Sequence, residues 1–142
     1  MRVLLLLSLL FSPLSFAGHH SESKNDQIIF LLDLEVIEGK DNQVDDLIDR
    51  LVDNVKKTEP GTIAYEYYAS SKDRIFLYEV YENHAAAEFH VDSFLQGDLM
   101  PIFVDTFRVL TFEVLGTTTE QLKVKMKDFT QDHRPKTDGF KR

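Results

Sequence analysis

Residues 28–37, IIFLLDLEVI, alternate as a β-strand does, yet neither face of that strand is polar throughout. Ile28, Phe30, Leu32, Leu34 and Val36 make one wholly apolar face, and Asp33 and Glu35 lie among Ile29, Leu31 and Ile37 on the other. Residues 108–115, RVLTFEVL, repeat the arrangement, with Leu110, Phe112 and Val114 on the apolar face and Val109, Thr111, Glu113 and Leu115 on the mixed one. A strand with grease on both sides needs a layer above it and a cover below it. That requirement limits the admissible folds more than any composition figure does.

The segments between these strands supply the upper layer. Val44, Leu47, Ile48, Leu51, Val52 and Val55 follow the i, i+3, i+4, i+7 spacing of a helix with one buried stripe. Asp41 or Asn42 can cap it, Lys56 and Lys57 suit its C-terminal dipole, and Glu59-Pro60-Gly61 stops it. Residues 62–69 and 74–81 read as a hairpin joined by Ser70-Ser71-Lys72-Asp73. Asn83 is placed to cap a second helix over 85–95, and a short helical piece is expected over 98–103, with Pro101 in its first turn. A polar helix over 119–126 and a loosely held tail from Asp132 complete the pattern.

The order β-α-β-β-α-β is the split βαβ, or ferredoxin-like, arrangement of an α+β domain. It predicts a four-stranded antiparallel sheet with both helices on one face. The reverse face then calls for a second sheet, and in a chain this short a second copy supplies it. A homodimer built sheet to sheet is the expectation.

Residues 1–17 stand apart from that domain. Arg2, the apolar run Val3–Phe11, Pro13 and the small residues Ser15 and Ala17 have the layout of a secretory signal peptide, too short for a membrane span. The expected division is a leader over 1–17, a flexible segment over 18–26 and a domain over 27–142, in a periplasmic or secreted protein with no membrane attachment after cleavage. Sixteen basic against 24 acidic residues give a formal net charge of −8, one unit more negative once Arg2 is removed. Such a surface repels nucleic acid and anionic lipid. The absence of cysteine excludes thiolate metal sites and thiol nucleophiles, and no P-loop, dinucleotide or Ser-His-Asp signature occurs. Cleavage after Ala17 would expose Gly18-His19-His20, whose amine, amides and third-position imidazole suit square-planar Cu(II); a flexible tail without metal is the alternative.

The stretch EPGTIAYEYYAS…RIFLYEVYENHAAAEFH carries three tyrosines on one strand, and Tyr78-Glu79-Val80-Tyr81 on the next, followed by Ala85-Ala86-Ala87 and His90. In that order and spacing it resembles the antibiotic biosynthesis monooxygenase domain, and within it the quinol monooxygenases of YgiN type. The terminal Gly139-Phe140-Lys141-Arg142 is similar to one branch of the family. The resemblance covers residues 27–142. It implies a dimeric α+β barrel that oxidises electron-rich aromatics with O2 and needs no metal or flavin. It places the pocket between sheet and helices.

Alternation puts Tyr65 and Tyr67 on the face of Ile63, and Glu79 and Tyr81 on the face of Ile75 and Leu77; the opposite assignment of faces stays open. On the assignment adopted, His90, Glu79 and Tyr65 are the catalytic candidates, and Tyr67, Tyr81 and Phe89 the substrate-binding ones. Glu79 interrupts an apolar strand and needs a partner, either Arg74, Arg108 or a backbone amide, or else a proton to handle. Two other functions fit the scaffold: an isomerase of a small dicarbonyl signal molecule, and a small-molecule-binding dimer without chemistry. Haem-degrading relatives depend on a tryptophan, and the chain has none.

Overall fold

The computed structural model describes residues 26–140. The signal-peptide, Gly18-His19-His20 and Lys141-Arg142 expectations therefore lie outside the described residues. Within them the chain runs β1 (Ile28–Val36), α1 (Val44–Thr58), β2 (Thr62–Ser71), β3 (Arg74–Tyr81), α2 (His84–Gln96), α3 (Met100–Thr106), β4 (Phe107–Leu115), α4 (Glu120–Met126) and β5 (Asp132–Arg134).

The sheet order is β2-β3-β1-β4-β5, with β1 central between antiparallel β3 and β4. This is the ferredoxin-like order with one strand added. Burial along β1 alternates without interruption, and its apolar face joins Leu47, Leu51, Ala87 and Val91 of the helices in one core. The tail is not loose at Asp132: β5 pairs in parallel with β4, so the sheet is mixed and five-stranded. Leu122 and Met126 of α4 are buried in the same core, so residues 119–134 belong to the domain.

Among the described residues the pairing has three register shifts, one of them beside Ser70 at the β2–β3 hairpin, and the other two change which side chains face the helices. In β4 the register shifts beside Asp33 and Leu34, and Leu110 is the extra residue. Phe107 and Val109 consequently join Phe112 and Val114 on the helix side, and Leu110 is left exposed. In β2 Thr62 pairs with Tyr81 and Ala64 with Val80, so Ile63 bulges out and is 55% exposed. The expectation that Ile63 shares a face with Tyr65 fails because one extra residue reverses the alternation.

Asn83 caps α2 as expected, its side-chain oxygen accepting from the Ala86 amide at 2.9 Å. Asp41 and Asn42 do not cap α1. They lie in a 3-10 turn, Asp41–Gln43, and no side chain caps the helix that follows.

Candidate functional site

The helix face that α2 turns to the sheet is set by Ala87, His90, Val91 and Phe94, at i, i+3, i+4 and i+7. His90 arrives there opposite β2 and β3. On β3 the residues paired with Tyr65 and Tyr67 are Glu79 and Leu77, so both tyrosines and Glu79 share the helix-facing side of the sheet. Tyr81 lies on that side too, wholly buried. Tyr68, 53% exposed, and Tyr78 lie on the reverse.

A buried polar cluster results. His90 Nδ1 lies 2.8 Å from Glu59 Oε2, and Thr62 donates to the same oxygen at 3.1 Å. His90 Nε2 is 3.8 Å from Glu79 Oε2, too far for a direct hydrogen bond. The Tyr81 hydroxyl donates to that Glu79 oxygen at 2.5 Å. Tyr65 and Tyr67 are joined through their hydroxyls at 3.0 Å. Arg74 and Arg108, the partners first considered for Glu79, pair instead with Asp33 and Glu35 on the reverse face.

Burial raises the Glu79 carboxyl above its ordinary value, a shift that His90 and the Tyr81 hydrogen bond only partly offset. For His90 burial acts downward, but Glu79 and the Glu59 hydrogen bond outweigh it and hold the imidazole above its usual range. Tyr65 and Tyr81 are pushed far up, chiefly by burial and then by Tyr67 or Glu79, so both remain neutral hydrogen-bond donors. The cluster thus pairs a carboxyl that holds its proton unusually well with an imidazole that does the same.

Beside it is a cavity of about 320 Å3 walled by rings and aliphatic side chains, among them Phe30, Leu77, Phe94, Phe103 and Phe112. Buried Glu79 and His90 and half-buried Tyr65 are its inner polar groups; the remaining charged wall residue, Asp128, is solvent-exposed. Met126, at the end of α4, and Phe129, in the turn after it, complete the wall.

Tyr65, Glu79 and His90 therefore meet at one cavity, and the other three candidates do not line it. Phe89 is one residue off the buried stripe of α2 and is 53% exposed. Tyr81 stands behind Glu79, edge-on to Phe30 at 4.9 Å. Tyr67 stands behind Tyr65, edge-on at 5.4 Å. These two hold wall residues in place and do not touch the cavity. Glu59, read from sequence as a helix stop, is the member that was missed. Its signal was there: a carboxylate at the C-terminal end of α1 faces the negative pole of the helix, where an acid is disfavoured without a reason. Among the described residues no group of three or more His, Cys, Asp or Glu side chains is arranged to hold a metal ion.

The family model for antibiotic biosynthesis monooxygenase matches residues 28–107. No curated protein matches the sequence. The architecture is similar to that of MupZ from Pseudomonas fluorescens, at a TM-score of 0.74 and 16% identity over 83% of this chain and 96% of that one. It is similar to Rv0793 from Mycobacterium tuberculosis, at 0.55 and 16% over 66% and 97%. It is also similar to SnoaB from Streptomyces nogalater, a cofactor-independent oxygenase, at 0.54 and 11% over 66% and 95%. At these identities the likeness concerns the fold alone.

Proposed function

Because the chain belongs to the antibiotic biosynthesis monooxygenase family, we propose that it is a cofactor-independent monooxygenase oxidising a quinol or related electron-rich aromatic with O2. The observation that carries this reading is the meeting of Glu79, His90 and Tyr65 at one end of a cavity otherwise walled by rings and aliphatic groups. SnoaB, a cofactor-independent oxygenase on this fold, supports it. The volume, about 320 Å3, lies within the range of small-molecule sites.

In this reading the substrate is the reductant. Glu79 accepts the proton of a ring hydroxyl, and the aryloxide transfers one electron to O2. Superoxide and the aryloxyl radical combine to form a carbon–oxygen bond at a ring carbon. That carbon gives up its hydrogen as a proton as the O–O bond breaks, and the departing oxygen takes it together with the proton that Glu79 accepted and leaves as water. The sum is quinol plus O2 to hydroxyquinone plus water, which balances in atoms and electrons. The Tyr65 hydroxyl, and the His90 ring once it has taken up a proton, stabilise negative charge on the oxygens as it develops. The rings and aliphatic side chains of the wall limit solvation of that charge by water.

The reverse face of the sheet supports the rest of the proposal, a homodimer. Tyr68 and Phe76 are exposed there beside half-buried Ile29, Leu31 and Tyr78, with the Asp33–Arg74 and Glu35–Arg108 ion pairs among them. A leader-like sequence over residues 1–17 supports export to the periplasm or beyond.

The test is O2 uptake with a reduced naphthoquinol against the autoxidation blank. Uptake above the blank, lowered about 100-fold in Glu79→Gln, is expected. An acid–base pair such as Glu79 and His90 also suits enolisation of a small dicarbonyl, and isomerisation without O2 uptake would establish that reading in place of the first.

A further inference from the structure

The two ring nitrogens of His90 face two different cavities. Nε2 is the nitrogen near Glu79, which lines the apolar cavity. Nδ1 bonds Glu59, which lines a second cavity of about 270 Å3 between α1 and the C-terminal end of α2. His90, Tyr65 and Phe94 are common to both, so they form the partition. Phe94 stacks nearly parallel to the imidazole, at 14° and 6.3 Å between ring centres, which extends the partition with an apolar plate.

The two sides differ in kind. Around Glu59 the second cavity presents Arg50, Asn54, Ser93 and Asp98. Arg50, Asn54 and Asp98 are exposed, so water reaches this side, and Glu59 is the buried member of the group. The titratable groups around the pair are Arg50 from α1, Asp98 from the turn after α2, Tyr65 and Tyr67 from β2, and Glu79 and Tyr81 from β3. None of the tyrosines competes for the proton, because burial keeps them neutral.

We propose that the second cavity is the proton port of the site, through which the Nδ1 proton of His90 passes to Glu59 and Glu59 exchanges it with water. When the substrate O–H bond breaks, Glu79 takes the proton and, once the two side chains close the 3.8 Å gap, hands it to Nε2 of a neutral His90, whose Nδ1 proton moves to the Glu59 carboxylate and on to solvent. When the O–O bond breaks, the relay runs backward and a proton returns to the departing oxygen, which leaves as water. Over a turnover no net proton crosses the port, as the formation of hydroxyquinone and water alone requires, and His90 regains its starting tautomer. Oxygenation supplies the timing of the flow, which so rests on the function proposed above. The conduit itself, from His90 to solvent, does not.

Two measurements separate the two ideas. The first needs no substrate: exchange of the His90 Nδ1 proton with solvent, followed by NMR in ¹⁵N-histidine-labelled protein. Filling the polar cavity with Ser93→Leu, or from its opposite wall with Asn54→Phe, should slow that exchange about tenfold while leaving the Nε2 side unchanged. Equal exchange in a folded variant overturns the proposal, whatever the enzyme does. The second is rescue. Glu59→Ala leaves a hole on the polar side, and formate added to the solvent should restore naphthoquinol-dependent O2 uptake in proportion to its concentration. It should do so through kcat and not KM. Absence of rescue in an active wild-type background overturns the conduit and leaves the oxygenase reading standing. A wild type without O2 uptake removes that reading and leaves the exchange experiment to decide the conduit.

Discussion

Glu79 and His90 lie in one buried cluster that also holds Glu59, and each has a consequence that can be measured. Glu79 is raised by burial, so the acid limb of the rate profile should have its midpoint above the ordinary carboxylate value of about 4.3. Glu79→Gln should abolish the limb together with most of the rate. His90 is also raised in the folded state. Its charge therefore stabilises the fold fully below the unfolded value of about 6.5, and that stabilisation is lost as pH rises through the higher folded value. Thermal denaturation should show wild type losing stability over this window and His90→Gln losing less. A parallel pH slope in the two proteins would contradict the assignment. At this scale the sequence was half legible. A carboxylate in an apolar strand and a histidine beside aromatic residues mark themselves. Phe89 falls outside the cavity because the helical phase that turns Ala87, His90 and Val91 inward leaves it exposed, and Glu59 was passed over because a Pro-Gly turn accounted for the segment without it.

The elements follow from their periodicity, and they depart from it where a residue is inserted. β1 and α1 have no insertions, so their faces were readable from alternation and from the 3.6-residue stripe. In β2 and β4 one extra residue leaves each local pattern intact while reversing the face beyond it, and only pairing with a neighbour reveals it. The bulge in β2 has a use: it carries Thr62 to the helix side, where its hydroxyl bonds Glu59. In the segment after β4 the helix was legible to within a residue, but the strand was not, because three residues are too short to show a period. Its seat can be tested. Leu122→Ala, at a wholly buried position of α4, should cost about 3 kcal/mol in chemical denaturation. Val124→Ala, 65% exposed on the same helix, should cost less than about 0.5 kcal/mol. Equal costs would mean that α4 is not anchored as described.

For the whole molecule, the two-faced strands that opened the sequence place helices on one side and leave Tyr68 and Phe76 on the other. A second copy covering that face is the proposed resolution. Sedimentation at micromolar concentration should show a dimer for wild type, and Phe76→Glu, which sets a charge beside Asp33 and Tyr68, should shift it to monomer. A wild-type monomer would contradict the covered face. The account's central claim concerns chemistry: that the substrate's own electrons reduce O2 within the cavity of Glu79, His90 and Tyr65. Turnover of a reduced naphthoquinol under ¹⁸O2, followed by mass spectrometry of the product, tests it most directly. One ¹⁸O atom in each hydroxyquinone, with the other recovered in water, is the predicted result; a product that carries no ¹⁸O would contradict it.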